Sequence, residues 1–335
     1  MRTRLRIWLA GVAALAAAAP AVVLSAAVPA GASPVGYTLL VTVVEVTMDG
    51  GIPTCQLNQI DLATGALTPL PTSDPDACVD DLTMAPDGRV FGIQLQCGGE
   101  LCLDTGAASF AGEQAVQQID EEVHLIQFDL TTGAPTDLGA ITGGPATTFI
   151  ESPISFGGLT FDKDGNLFVE MVGESFPCFG NAFCLYRVNP ANPADATFVG
   201  FGTPFTEFQV LAAQCGTAPE AVTLRPFEAG VDSTDVEPEA LPVSNQTLLE
   251  RNLSNGATSP IGPTGADAAI TGMAFDSNGA LWAVGIDGGT MSVFTISTTT
   301  GAATASSEID AGESLVVGLA LPLDCPEELV VAFTG

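Results

Sequence analysis

Two apolar–polar patterns alternate along the chain, and each is typical of a β-hairpin. In the first, an apolar-rich strand, a tight polar turn with Gly and a second apolar strand follow one another. The copies span residues 81–93, 158–169 and 272–284, with the turns Asp87-Gly88, Asp164-Gly165 and Asn278-Gly279. Glycine supplies the positive φ that short hairpin turns need, so these segments predict three hairpins of one kind.

The second pattern is a hairpin around a Thr-Gly-Ala-like turn. Its copies span residues 60–68, 128–136, 251–258 and 296–304, with a decayed copy at 186–193. Gly65 and Gly88 are 23 residues apart, and Gly279 and Gly301 are 22 apart. A unit of about 45 residues with two hairpins has four short strands, which is typical of a β-propeller blade. No amphipathic helical stretch of useful length competes with this interpretation.

Residues 37–323 resemble the blade repeats of secreted β-propellers of the NHL-like kind. In that family a GLxFDxDGxLFxV hairpin gives the two inner strands of a blade, and an LxxxDxxTGAxTxLG hairpin gives the two outer strands. The resemblance implies an all-β propeller fold. It does not imply an activity, because propellers carry many unrelated functions.

The number of hairpins favours five blades, with six or seven if the long segments contain further strands. There are five Thr-Gly-type hairpins. There are also three clear inner hairpins and a fourth, degenerate inner hairpin at 208–227. The chain opens with a strand at 37–46 and closes with an inner-type strand at 315–321. We expect one blade to combine three N-terminal strands with this C-terminal strand, which removes free sheet edges. Residues 325–335 have no place in this count.

The first 32 residues have the pattern of a signal peptide. Basic residues 1–8 precede an apolar run at 9–30, and Ala30-Gly31-Ala32 fits the small-x-small site of a signal peptidase. We expect cleavage after Ala32 and secretion of residues 33–335 as one propeller domain. Loop insertions are expected at about 96–123, 173–184 and 202–245. An uncleaved membrane anchor is the alternative, and Pro20 within the apolar run argues against it.

The charge of the chain limits its partners. The formal net charge is −31 over 335 residues, from 8 Lys and Arg against 39 Asp and Glu. Three of the bases lie at positions 2, 4 and 6, which leaves five bases beyond the signal segment. Such a surface repels phosphate backbones and anionic lipid, so nucleic acid and stable membrane binding are not expected. A protein, a glycan or a small molecule is the expected partner, and a monomer is the expected state.

Eight cysteines lie beyond the signal segment, and an even number in an exported chain indicates disulfides. The absence of any CxxC pair argues against a zinc–thiolate site. Two pairs close local rings, a third joins loops on one face, and the fourth links two innermost strands. The predicted pairs are Cys97–Cys102, Cys178–Cys184, Cys55–Cys78 and Cys215–Cys325.

Catalytic motifs are lacking in the sequence. The single histidine, His124, follows three acidic residues and fits either a general base or, as we favour, a surface position at a strand end. Neither G-x-S-x-G nor H-E-x-x-H occurs. The segment Asp162–Asn166 resembles a calcium loop, but it occupies the same repeat position as Asp87-Gly88, so we interpret it as a hairpin turn. No catalytic residue is therefore assigned.

The start of the innermost strands is the predicted binding region, because these strands surround the propeller axis. Four acidic residues and three neutral polar residues lie just upstream of the aligned inner strands. The predicted metal ligands are Asp80, Asp81, Glu207 and Glu313, and the predicted ligand-binding residues are Gln209, Thr271 and Ser314. Carboxylates without His or thiolate suit Ca²⁺. The alternative is that these acids point to solvent.

The sequence favours an exported, non-enzymatic binding or interaction scaffold, with Ca²⁺ as a structural ion. The ligand of this scaffold is unknown. The alternative resembles calcium-dependent lactonase-type propellers, whose axial metal activates an ester. Those proteins have six blades, and this sequence shows no matched set of Asn, Asp and Glu at their spacing. A structural protein of the cell envelope is a third hypothesis, for which no sorting motif provides support.

Overall fold

The computed structural model describes most of the repeat-bearing chain. It describes residues 34–42, 54–74, 78–97, 100–101, 121–142, 158–172, 182–204, 210–215, 220–225, 246–265, 268–287, 290–312 and 314–322. Within these ranges the regular structure is all β, and no helix there is long and apolar enough to cross a membrane. The predicted signal peptide, and residues 325–335, lie outside the described residues.

The strands form five antiparallel sheets, which we call blades 1 to 5. Blade 1 contains β1 (Val35–Thr42), β2 (Thr54–Asp61), β3 (Leu67–Asp74) and β21 (Leu315–Ala320). Blade 2 contains β4 (Asp81–Met84), β5 (Val90–Cys97), β6 (Glu100–Leu101), β7 (Glu121–Phe128) and β8 (Pro135–Ala140). Blade 3 contains β9 (Leu159–Phe161), β10 (Leu167–Val172), β11 (Ala182–Asn189) and β12 (Asn192–Pro204).

Blade 4 contains β13 (Leu211–Ala213), β14 (Ala221–Arg225), β15 (Thr247–Arg251) and β16 (Thr258–Pro263). Blade 5 contains β17 (Ala268–Phe275), β18 (Leu281–Asp287), β19 (Thr290–Ile296) and β20 (Ala303–Glu308). Five antiparallel sheets, four of them with four strands and blade 2 with the short extra strand β6, confirm the predicted five-bladed β-propeller. The degenerate hairpin expected within 208–227 is present as β13 and β14, which are short.

Blade 1 closes the ring as the sequence predicts. Its strand order is β21-β1-β2-β3, so the last strand of the chain is the innermost strand of the first blade. Tyr37 pairs with Ala320 and Val41 with Leu315. The first strand is described as Val35–Thr42 rather than 37–46, and residues 43–46 lie outside the described residues.

The five inner strands contact one another in a cycle: β4, β9, β13, β17, β21 and back to β4. Glycine allows several of these close approaches. A Cβ atom on Gly158 would lie 2.1 Å from the Leu211 nitrogen, and one on Gly318 would lie 2.7 Å from the Leu82 nitrogen. Toward the ends of the inner strands the axis holds a cavity of about 20 Å³, lined in part by Thr83, which is room for about one water molecule.

The Gly-containing outer turns of blades 1, 4 and 5 pack against the preceding blade. Gly65, Gly256 and Gly301 all have positive φ, and a Cβ on any of them would collide with the outermost strand of the preceding blade. The inner-hairpin turns differ, because Gly88 and Gly279 have positive φ but nothing within 4 Å of the corresponding Cβ position. The Thr-Gly glycines therefore serve both the turn and the contact between blades.

Five apolar clusters fill the spaces between neighbouring blades. Four of them are large, as in the cluster between blades 2 and 3, where the Phe91 and Phe161 rings lie 5.3 Å apart. The cluster between blades 3 and 4 is the smallest and is centred on Phe168 and Leu211. This interface has less apolar contact than the other four.

The alternation of strands defines two faces. The strand-start face carries the beginnings of the inner strands, and the turn face carries the Asp-Gly and Thr-Gly turns. Cys55 and Cys78, one of the four predicted pairs, form a disulfide on the strand-start face, with Cα atoms 5.0 Å apart. Cys184 and Cys215 are also disulfide-bonded, and their predicted partners Cys178 and Cys325 lie outside the described residues, as does Cys102.

Candidate ligand-binding site

Asp80 and Asp81 lie at the start of β4, but their surroundings differ. Asp80 lies on the strand-start face, where the protein packed around its carboxyl desolvates this group and raises its pKa to about 7. Asp81 is buried between blades 2 and 3. Its two carboxyl oxygens accept hydrogen bonds from the backbone N–H groups of Leu82 (2.8 Å) and Leu159 (3.2 Å).

Burial raises the pKa of Asp81 well above its ordinary value, and the two N–H donors only partly oppose this. The structure therefore gives Asp81 a role in joining the inner strands of blades 2 and 3. The other inner strands use polar groups in the same way. Thr160 accepts a hydrogen bond from the Ala213 N–H at 2.9 Å, which links blade 3 to blade 4.

Thr271 also joins two blades. Its hydroxyl donates to the Val316 carbonyl oxygen at 2.7 Å, from β17 of blade 5 to β21 of blade 1. Ser314 lies at the strand-start face, with its hydroxyl 3.0 Å from that of Thr42. Glu207, Gln209 and Glu313 lie outside the described residues.

Among the described residues, no group of three or more His, Cys, Asp or Glu side chains is arranged to hold a metal ion. Since Glu207 and Glu313 are not described, the calcium site is a prediction that this structure leaves untested. Asp81 already uses both carboxyl oxygens for backbone N–H groups. A cation there would have to share those oxygens with the two donors.

A cleft of about 800 Å³ opens on the strand-start face between blade 5 and β21 of blade 1. We call it the strand-start cleft. Its apolar lining comes from Ile286, Met291, Ile309 and Leu315, and its polar lining from Thr290, Glu308, Asp310 and Ser314. The Glu308 and Asp310 side chains are exposed at its rim, and the described residues that line it include no Lys or Arg. Its volume lies in the range of small-molecule sites, and its charge favours cationic or neutral ligands.

His124 lies in β7, on the outer part of blade 2. Its Nδ1 atom is 2.9 Å from Asp137 and its Nε2 atom is 3.3 Å from Glu122. Both ring nitrogens therefore face carboxylates. These contacts include no nucleophile that a general base would activate. The predicted surface position at a strand end is wrong, because His124 is the fourth residue of β7 and its side chain is only 12% exposed.

A buried ion pair lies between blades 3 and 4, and it was not predicted from the sequence. Arg251 and Glu170 have fully buried side chains, with Nη2 and Oε1 2.8 Å apart. Arg251 also donates to the carbonyl oxygens of Phe201 (3.3 Å) and Gly256. Burial raises the pKa of Glu170, while the Arg251 guanidinium and the Thr223 hydroxyl act in the opposite direction.

The repeat contains a signal for this pair. Arg251 occupies the position that Ile60, Phe128 and Ile296 hold in the other Thr-Gly hairpins, and Glu170 occupies that of Ile93 and Val284. Two opposite charges in apolar positions of adjacent blades predict a buried pair. The small apolar cluster belongs to the same interface between blades 3 and 4.

Comparison with known proteins adds only a general likeness to this picture. No protein-family model matches the sequence, and no curated protein matches it either. Virginiamycin B lyase from Staphylococcus aureus is 14% identical over 82% of this chain and 70% of that chain, with a TM-score of 0.35. A chain of the nidogen/laminin complex is 9% identical over 87% of this chain and 100% of that chain, with a TM-score of 0.42.

An aldose sugar dehydrogenase from Streptomyces coelicolor is 14% identical over 84% of this chain and 85% of that chain, with a TM-score of 0.38. These similarities are too low to transfer an activity. The assignment of the propeller fold depends instead on the strand pairing within this chain, and membership of the NHL-like family stays a prediction.

Proposed function

We propose that this protein is an exported, non-enzymatic β-propeller that binds a ligand in the strand-start cleft. The observation that carries the proposal is the cleft itself: about 800 Å³, an apolar floor and an acidic rim. The Cys55–Cys78 disulfide supports export, since such bonds persist in oxidising compartments.

The lining of the cleft defines the ligand class. Met291 and Leu315 offer apolar surface, while Glu308 and Asp310 offer carboxylates and Ser314 a hydroxyl. An apolar group joined to an ammonium group or to hydroxyl groups matches this combination. A basic, partly apolar side chain of a protein partner presents the same chemistry.

Benzylammonium is a suitable probe, followed by ligand-observed NMR titration of the disulfide-intact protein. We expect saturable binding, weakened about two- to fivefold by Glu308→Gln or Asp310→Asn, since an exposed ion pair contributes up to about 1 kcal/mol. Asp195→Asn is the matched control, because Asp195 is an exposed acid on the outer strand of blade 3. Equal weakening by all three variants would show that the whole acidic surface, not the cleft, attracts the cation.

Calcium binding is a separate part of the proposal, assigned to Asp80, Asp81, Glu207 and Glu313. Thermal unfolding with millimolar Ca²⁺ and with chelator tests it. A site filled 100-fold above its dissociation constant adds roughly 2.7 kcal/mol of stability. A saturable rise in Tm with Ca²⁺ but not with Mg²⁺ supports a specific calcium site. An unchanged Tm refutes the proposed site. Lactone hydrolysis that depends on Ca²⁺ would replace the non-enzymatic proposal with the hydrolase alternative.

A further inference from the structure

The outer part of blade 2 carries a connected group of polar side chains on one face of the sheet. Gln94 lies directly opposite His124 across β5 and β7, and Gln96 lies opposite Glu122. Because alternate residues of a strand point to the same face, these four side chains lie side by side. Asp137, on the neighbouring strand β8, contacts both His124 and Gln96. The group contains the single histidine of the chain.

Asp137 is held in place by its neighbours. Its Oδ1 atom accepts a hydrogen bond from the Gly139 N–H at 2.7 Å, and its Oδ2 atom accepts one from the Gln96 side chain at 3.4 Å. Gln96 also donates to the Gln94 side chain at 2.9 Å. The Asp137 carboxylate therefore has a fixed position beside the histidine ring.

This carboxylate determines the tautomer of His124. The Nδ1 atom lies 3.0 and 2.9 Å from the two carboxyl oxygens of Asp137. Since an ionised carboxylate only accepts hydrogen bonds, the proton of the neutral ring lies on Nδ1, and Nε2 has a lone pair. A histidine that donates one N–H to a carboxylate is the usual form in which the other nitrogen binds a metal ion.

The lone pair of Nε2 faces a second carboxylate. The Glu122 Oε2 atom lies 3.3 Å from Nε2, and two such atoms repel each other unless a positive charge lies between them. A shared proton would form a hydrogen bond of about 2.7–2.9 Å. At a tetrahedral zinc ion, with bonds of about 2.0–2.2 Å, a nitrogen ligand and an oxygen ligand are about 3.3–3.5 Å apart. The separation of Nε2 and Oε2 fits the metal ion better than the proton.

We propose that His124 Nε2 and Glu122 bind a Zn²⁺ ion on blade 2, with Asp137 as the residue that positions the ring. Imidazole suits zinc, whereas Ca²⁺ takes oxygen ligands. The His124 side chain is 12% exposed and that of Glu122 is 58% exposed, so the ring is packed while the carboxylate is open to water, which completes the coordination. A site with two protein ligands agrees with the absence of a metal-binding group of three among the described residues.

The zinc site shares no residue with the strand-start cleft or with the proposed calcium site, and it depends on neither. NMR of the His124 ring nitrogens tests it directly, because the chain has no other histidine. We add Zn²⁺ to the tag-free, disulfide-intact protein at about pH 8, where an ordinary imidazole is neutral. The Nε2 signal should shift saturably, and Nδ1 should keep its proton.

Two variants separate the ligand from the positioning residue. Asp137→Asn should weaken zinc binding about 10–100-fold, as the loss of an outer-shell partner does. It should also lower the fraction of the Nδ1-protonated tautomer in the zinc-free protein, which a merely structural role would not change. Glu122→Gln removes a ligand, so it should weaken zinc binding at least as much and leave the tautomer as it is.

Glu250→Gln is the matched control, because Glu250 lies on the third strand of blade 4 and its carboxyl contacts Ser259 instead of a histidine. It should leave zinc binding unchanged. The proposal is overturned if the Nε2 signal does not respond, if Ca²⁺ shifts it equally, or if Glu122→Gln and Glu250→Gln have the same effect. Should a variant fail to fold, the response of the natural protein still decides. Failure here would leave benzylammonium binding and the effect of Ca²⁺ on Tm unaffected.

Discussion

Replacing Gly301 by Ala tests whether the Thr-Gly turns hold the blades together. Gly301 lies in the outer turn of blade 5 with φ of 79°, and a Cβ there would lie 2.2 Å from the carbonyl oxygen of Gly262 in blade 4. Gly279, in the inner turn of the same blade, has φ of 78° and open space around the Cβ position. Both positions therefore require a positive φ, but only at Gly301 would a Cβ atom collide with the neighbouring blade.

The positive φ alone costs about 1–2 kcal/mol for an alanine, and the lower entropy of the unfolded chain returns about 0.4–1 kcal/mol of that. Gly279→Ala should therefore destabilise the protein by about 1 kcal/mol. At Gly301 the new methyl group must also displace backbone, and overpacking typically adds about 1–3 kcal/mol. We expect a total of about 2–4 kcal/mol for Gly301→Ala.

Thermal unfolding of the disulfide-intact protein, followed by circular dichroism, distinguishes the two variants. For a chain of this length 1 kcal/mol corresponds to about 2 °C, so Tm should fall by about 2 °C for Gly279→Ala and by about 4–8 °C for Gly301→Ala. The pair Gly65 and Gly88 repeats the comparison elsewhere in the ring, because only a Cβ on Gly65 would meet Glu308. Equal losses within either pair would refute the docking role.

Three further results are expected. Arg251→Met should cost about 3–5 kcal/mol in urea unfolding because it leaves Glu170 buried without its partner, and isoleucine at both positions should recover most of that loss. The pKa of Asp80 is raised to about 7 in the folded protein, whereas in the unfolded chain it is near the ordinary value of about 4. The stability that the protonated carboxyl contributes is therefore fully present below about pH 4 and is lost as the pH rises through 7. Asp80→Asn should therefore increase Tm relative to the natural protein progressively from pH 4 to 8, and a constant difference contradicts the shift. Replacing Cys55 and Cys78 together by Ala should cost about 3 kcal/mol, from the loop of 23 residues that the disulfide closes, as measured by the same unfolding assay.

Repeat spacing predicted the architecture because each blade buries the same positions against its neighbours. Leu82, Leu159 and Met273 hold equivalent places in three inner hairpins and are all buried. The blade count and the closing strand followed from counting hairpins. Long-range pairing is usually hard to predict, but here the repeat supplies it.

Individual side chains were harder to place, because the repeat fixes position along a strand and not the partner across a blade interface. Asp81 and Thr271 were predicted as binding residues at the axial mouth. Both bond the backbone of an adjacent inner strand, a contact that the repeat did not predict, and their binding role stays a prediction. Of the residues that line the strand-start cleft only Ser314 was predicted as a site residue, since the cleft is formed by blade 5 and β21 of blade 1 together. Arg251 could have been found, because a charge occupied an apolar position of the repeat.

The closing strand also sets the order in which the molecule is completed. β1 to β3 are synthesised first, yet the strand that covers the inner edge of β1 ends the described chain, with Thr38 bonded to a residue 280 positions later. Until β21 arrives, the first sheet has an open edge, and the inner strands of blades 2 and 5 lack a neighbour. Joining such distant segments is slow, so ring closure is expected to limit the folding rate. A chain that ends before Leu315 would keep every strand except β21 and would still leave the ring open.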